Sequence, residues 1–84
     1  MARITVYKGA DFQGESKDFT GAAYVGKNFN DTISSFVVHD GNWQFYKDAD
    51  AENPTGRVFN AGEKVNWVES VGISADSISS LQPV

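Results

Sequence analysis

The chain has 84 residues, enough for one small domain that buries about 60% of the surface its unfolded form would expose. It has no cysteine and a single histidine, His39, which excludes disulfides, thiolate metal centres, iron–sulfur clusters, thiol catalysis and any site built on several histidines. Seven Lys/Arg against eleven Asp/Glu leave a net charge of −4 without a basic cluster, so neither nucleic acid nor an anionic membrane surface is an expected partner.

In chain order, Ile4–Lys8 alternates and is rich in β-branched residues, which predicts a first strand. The chain enters it from Met1 without an apolar signal core, so no secretion signal is expected, and no apolar run approaches the roughly 20 residues of a membrane span. Lys17–Thr20 is a short strand candidate, Ser35–His39 a denser one and Trp43–Lys47 a third of full length. Gly56–Phe59 and Ser79–Leu81 are further short candidates. Asp40-Gly41 between two apolar runs predicts a hairpin turn. Gln13-Gly14, Asn53-Pro54-Thr55-Gly56 and Ala61-Gly62 mark other turns. No stretch of about 11 residues carries an unbroken helical apolar face, and at most one helical turn fits near Val65–Val71. Short strands and frequent turns predict an all-β sandwich or small barrel.

The chain also repeats itself. Val6-Tyr7-Lys8-Gly9-Ala10-Asp11 is matched by Phe45-Tyr46-Lys47-Asp48-Ala49-Asp50 at an offset of 39, and Asp31-Thr32-Ile33-Ser34-Ser35 by Asp76-Ser77-Ile78-Ser79-Ser80 at an offset of 45. Two matched pairs in the same order predict two copies of one unit, neither able to bury its apolar face alone, packed about a pseudo-twofold axis. In each Asp-x-Ile-Ser-Ser segment the isoleucine is expected in the core. A carboxylate, a hydroxyl and backbone carbonyls are then left facing outward. Oxygen donors of this kind suit Ca²⁺, which takes six to eight at about 2.3–2.6 Å, better than Mg²⁺, which demands a stiffer octahedron. One segment offers too few, whereas two brought together could share them. The alternative is that Asp and Ser here only make side-chain-to-backbone turn bonds.

Asn30-Asp31-Thr32-Ile33-Ser34-Ser35 and Ala75-Asp76-Ser77-Ile78-Ser79-Ser80 resemble a calcium signature, Asn/Asp-Asn/Asp-x-x-Ser/Thr-Ser, that occurs once in each half of βγ-crystallins, in particular the microbial single-domain members. Only Ala75 departs from it. Tyr7, Phe12 and Gly14 match the family's folded-over hairpin; the second copy starts at Tyr46 but has Ala51 and Asn53 at the later positions. That hairpin is expected to be lengthened through Asn53-Pro54-Thr55-Gly56, with Gly56 in the glycine's role. The resemblance implies a single domain over 1–84, with a first Greek key at about 3–41 and a second at about 42–84, forming two four-stranded antiparallel sheets. It further implies two Ca²⁺ ions, each shared between the signature segments. Lys8, Lys47, Thr32 and Ser77 would offer backbone carbonyls, Ser34 and Ser79 hydroxyls, and Asp31 and Asp76 carboxylates, each to the site built mainly by the other segment. Ser35 and Ser80 would tie down the hairpins. Lens members that have lost calcium carry arginine at the fifth signature position; here both are serine. With about one carboxylate per site, affinities of roughly 10⁻⁶ to 10⁻³ M are expected.

Trp43 and Phe45 are expected in the core, and Trp67 is expected to pack near the connection to the last strand. His39 beside Asp40 has no nucleophile motif with it, and nothing fixes the separation of Glu63 and Glu69, so an enzyme is not expected. The rivals to a calcium-stapled domain are an interaction module that presents the Asp48–Gly56 loop to a protein or glycan and binds calcium only incidentally, and a purely structural, stress-related or matrix protein. The expected state is a monomer.

Overall fold

A computed structural model describes residues 2–74 and 77–84 of the chain. It contains eight strands: β1 Arg3–Tyr7, β2 Ser16–Phe19, β3 Ala23–Tyr24, β4 Ser35–Asp40, β5 Trp43–Tyr46, β6 Pro54–Phe59, β7 Lys64–Val65 and β8 Ser80–Pro83. They form two four-stranded sheets, in the orders β2-β1-β4-β7 and β3-β8-β5-β6, with every pairing antiparallel. The second order, read backwards, repeats the first with the halves of the chain exchanged. The halves therefore interleave: β3 leaves the first half to sit beside β8, and β7 leaves the second to sit beside β4.

Of the longer strands, β1, β4 and β5 lie on the expected segments and β2 and β8 within a residue or two of them, whereas β6 begins at Pro54, inside the stretch Asn53-Pro54-Thr55-Gly56 expected to be a turn. The two swapped strands have only two residues each, too few for a period of two to show in the sequence. Their backbone groups are paired because the last strand of the other half offers a free edge. The helical turn expected near Val65–Val71 is a 3-10 turn at Val68–Val71, closed by Gly72 in the left-handed region.

Between the sheets, Ile4, Val6, Phe36, Val38, Trp43, Phe45, Phe59, Ile33, Ile78 and Leu81 are buried in one core. Phe36 meets Phe45 at 4.7 Å and Phe59 at 4.8 Å between ring centroids, the latter edge-on. Each such ring contributes roughly 1.5–3 kcal/mol by leaving water. Trp43 is completely buried because its indole N–H has a partner, the Asp40 carbonyl at 3.0 Å. Trp67, expected near the connection to the last strand, stands at the start of the 3-10 turn between β7 and β8 and is 39% exposed.

Candidate functional site

The repeated serine pairs are placed by the same bonds in both halves. Ser34 N–H donates to the Tyr7 carbonyl at 2.9 Å, and Ser79 N–H to the Tyr46 carbonyl at 2.9 Å. The Ser34 carbonyl receives Val68 N–H at 2.8 Å, and that of Ser79 receives Val25 N–H at 2.9 Å. Each serine is thereby fixed next to the residue after the tyrosine, Lys8 in one half and Lys47 in the other. Ile33 and Ile78, one position earlier, are fully buried and anchor the segments from below.

The following serines hold the folded hairpins. Ser35 Oγ donates to the Gly9 carbonyl at 2.6 Å and accepts Phe12 N–H at 3.1 Å. Ser80 Oγ donates to the Asp48 carbonyl and accepts Ala51 N–H at 3.1 Å. Phe12 and Ala51, 39 residues apart, both have positive φ, 60° and 58°. The expectation that the second hairpin is lengthened, with Gly56 in the glycine's role, is corrected by this geometry. The hairpin closes through Asp48 N–H to the Glu52 carbonyl (3.3 Å) and Lys47 N–H to the Asn53 carbonyl (3.0 Å). Asn53, at φ 56°, takes the left-handed place that Gly14 holds at φ 80°. Asparagine tolerates that region because its short polar side chain can bond locally, here to the Asp48 carboxylate. Gly56 instead lies in β6, where a Cβ would come within 2.6 Å of Ile73 Cγ1.

The two signature segments touch across the pseudo-dyad. Asp31, at φ 60°, donates its N–H to the Ile78 carbonyl at 3.0 Å, which brings it beside Ser79 of the other half. Asn30 adds a side-chain link that sequence reasoning left out: its Oδ1 accepts the Ser79 hydroxyl at 2.6 Å. Asn30 was legible only as the first signature position, since no sequence pattern specifies the hydroxyl that it orients. Thr32 and Ser77 turn the chain alike, each bonding back three residues, to Phe29 and Ser74. Asp76 and Ala75 lie outside the described residues. Lys8 turns its charge away, onto Asn28 Oδ1 at 2.9 Å and Glu15 Oε1 at 3.5 Å.

Among the described residues, the carbonyls of Lys8, Thr32, Lys47 and Ser77 and the Ser34 hydroxyl make no hydrogen bond. These are neutral oxygens, and no group of three or more His, Asp or Glu gathers among the described residues. A hard cation fits such a donor set, whereas a borderline ion seeking nitrogen or sulfur finds little here.

The remaining polar candidates are occupied elsewhere. The Thr5 hydroxyl lies 2.5 Å from Asp18 Oδ1 and 2.8 Å from His39 Nε2, on the outer face of the first sheet. Its one proton goes to the carboxylate, so His39 donates to it from Nε2. The hydrogen bond from the Thr5 hydroxyl, with Arg3 nearby, holds the Asp18 carboxyl below its ordinary range. Glu63 is clamped by both guanidinium nitrogens of Arg57.

The Beta/Gamma crystallin family model matches residues 3–84. The chain belongs to this family. Among solved structures, a βγ-crystallin from an archaeon is 35% identical, with 99% of this chain and 98% of that one covered and a TM-score of 0.85. A βγ-crystallin from Ciona intestinalis is 23% identical, with coverages of 98% and 99% and a TM-score of 0.86. A βγ-crystallin from Methanosaeta thermophila described as transition-metal-ion-binding is 24% identical, with coverages of 95% and 98% and a TM-score of 0.82. No curated protein matches significantly. The crystallin family is generally structural or binding rather than enzymatic.

Proposed function

We propose that this crystallin domain binds two calcium ions where its repeated segments meet, and that calcium stabilises the fold. The observation that carries the reading is the contact of the two segments across the dyad, Asp31 on Ile78 and Asn30 on Ser79, beside carbonyl and hydroxyl oxygens without hydrogen-bond partners. One site would draw on Lys47, Ser77, Ser79 and Asp31, the other on Lys8, Thr32, Ser34 and Asp76. Nothing in the donor set calls for the transition metal of the Methanosaeta neighbour, because the chain offers one histidine and no cysteine.

The two sites are unequal on this reading. The Ser79 hydroxyl gives its proton to Asn30, which leaves its lone pairs for a cation. Ser34 has no such partner among the described residues, and the residue matching Asn30 in the second signature is Ala75, which has no side-chain acceptor.

Calorimetric titration of chelator-treated protein with Ca²⁺ is expected to show two binding events within roughly 10⁻⁶ to 10⁻³ M. Asn30→Ala weakens the tighter event, and Ser34→Arg removes the weaker one while the fold persists. A hundredfold excess of calcium over Kd stabilises by about 2.7 kcal/mol, a rise of several degrees in melting temperature. Absence of both heat and a melting shift would end the calcium reading.

A further inference from the structure

The second folded hairpin borders a cavity of about 290 Å³ that contains none of the proposed calcium ligands. It lies between Ala49–Ala51, β3 and β8. Its origin is a broken symmetry. In the first half, Asp11 N–H donates to the Asn66 carbonyl at 2.8 Å, and Asn66 Nδ2 donates to Asp11 Oδ1 at 3.1 Å. These two bonds seal the hairpin against the swapped strand β7. By the offset of 39, Asp50 corresponds to Asp11. Ala23 faces Leu81 as Val65 faces Phe36, so Tyr24, one residue on, takes the place of Asn66. Tyr24 has no short side-chain amide to donate to Asp50 as Asn66 does to Asp11, and Ala51 supplies a methyl group where the first hairpin carries the Phe12 ring. The seal is not made, and Asp50 and Tyr24 are left lining the opening.

The exposed groups there have a definite chemistry. The Asp50 carboxylate makes no hydrogen bond or ion pair among the described residues. Tyr24 is 43% exposed. Elsewhere the chain sets its own cations over aromatic rings: Lys8 over Phe29 at 5.2 Å, Lys17 over Phe19 at 5.2 Å and Arg57 over Phe59 at 4.4 Å. Among the described residues Tyr24 carries none. The half of the chain from residue 43 has three basic and six acidic residues, and a field of that sign draws cations to the opening. The volume, at the lower edge of the range of small-molecule pockets, is ample for one side chain.

We propose that this cavity receives a guanidinium side chain of a partner peptide, paired with the Asp50 carboxylate and laid on the Tyr24 ring, with Gln82 at its edge. The alanine methyls admit a flat group close to the backbone. The test is a titration of ¹⁵N-labelled protein, followed by amide shifts, with acetyl-Gly-Arg-Gly-amide, acetyl-Gly-Gln-Gly-amide and maltotriose, each with and without calcium. The arginine peptide is expected to give saturable shifts at Ala22–Tyr24 and Ala49–Ala51, with Kd on the order of 1 mM. Asp50→Asn should weaken it about tenfold or more, and Tyr24→Leu should also weaken it, both variants keeping a folded spectrum. Equal shifts with the glutamine peptide, shifts with maltotriose alone, no saturable shift, or an unchanged response in Asp50→Asn would each overturn the proposal. Each outcome is separable from the calorimetric result for calcium, which these substitutions leave in place.

Discussion

Single side chains decide whether the two halves match or diverge. Ser35 and Ser80 are buried at 0% and 1% exposure, and each hydroxyl is spent on one carbonyl and one N–H. A hydroxyl so committed has no capacity left for an ion. The Ser34 hydroxyl, partly exposed and without a hydrogen-bond partner among the described residues, keeps that capacity. At the other end of the sandwich, Glu63 accepts from Arg57 and from Asn60 N–H, which lowers its carboxyl from 4.5 to about 2. Because the folded value lies below the unfolded one, the clamp stabilises fully above about pH 4.5 and is lost as pH falls through about 2. Denaturant midpoints of the native protein should therefore fall across that window, and Glu63→Gln should flatten this part of the profile. An unchanged slope in the variant would show that the clamp contributes nothing.

At the scale of elements, the folded hairpin is one design executed with different residues. The first copy uses Phe12 and Gly14, with Phe12 edge-on to Tyr7 at 5.7 Å; the second uses Ala51 and Asn53. The backbone conformation survives the exchange because the serine clamps and the closing hydrogen bonds require only main-chain groups. This explains why the sequence revealed the first hairpin but misled about the second. Gly56 looked like the missing glycine, yet its freedom is used for a close approach of β6 to Ile73. Adding a methyl there meets both a φ of +73° and Ile73 Cγ1 at 2.6 Å. Gly56→Ala is expected to destabilise by at least about 2 kcal/mol, since strain and overpacking each amount to roughly 1–3 kcal/mol. Thermal melts would register this as a drop of roughly 8–16 °C or more. A neutral result would mean that Ile73 moves aside freely. The strands β1, β4 and β5 were legible because apolar, aromatic or β-branched runs are bounded by turn residues, whereas the start of β6 was hidden by Pro54 and Gly56, which read as a turn. The strands β3 and β7 were not, because two residues carry no period and their place depends on a partner some 27 to 58 residues away in the chain. The signature segments were legible as a repeat, while their contact through Asn30 and Ser79 depends on how the halves dock.

For the whole molecule, the interleaved sheets tie the stability of one half to the other. Residues 1–41 alone would expose Ile4, Val6, Phe36 and Val38, and β3 would have no strand to pair with. A peptide of those residues should show no stable β-structure by circular dichroism. Mixing it with a peptide of residues 42–84 should restore the near-ultraviolet band of buried Trp43. Folding of either half alone would contradict this dependence.

The halves are joined by the tight turn between β4 and β5, where Gly41 has φ +79° and Asn42 accepts Val84 N–H at 2.8 Å. If that hinge straightens during refolding, half of one molecule can close on the complementary half of another. The resulting intermolecular exchange needs no new contact, only reuse of the native ones. Concentrated refolding therefore has a reciprocal, domain-swapped product in competition with the self-closed chain, and dilution favours the latter.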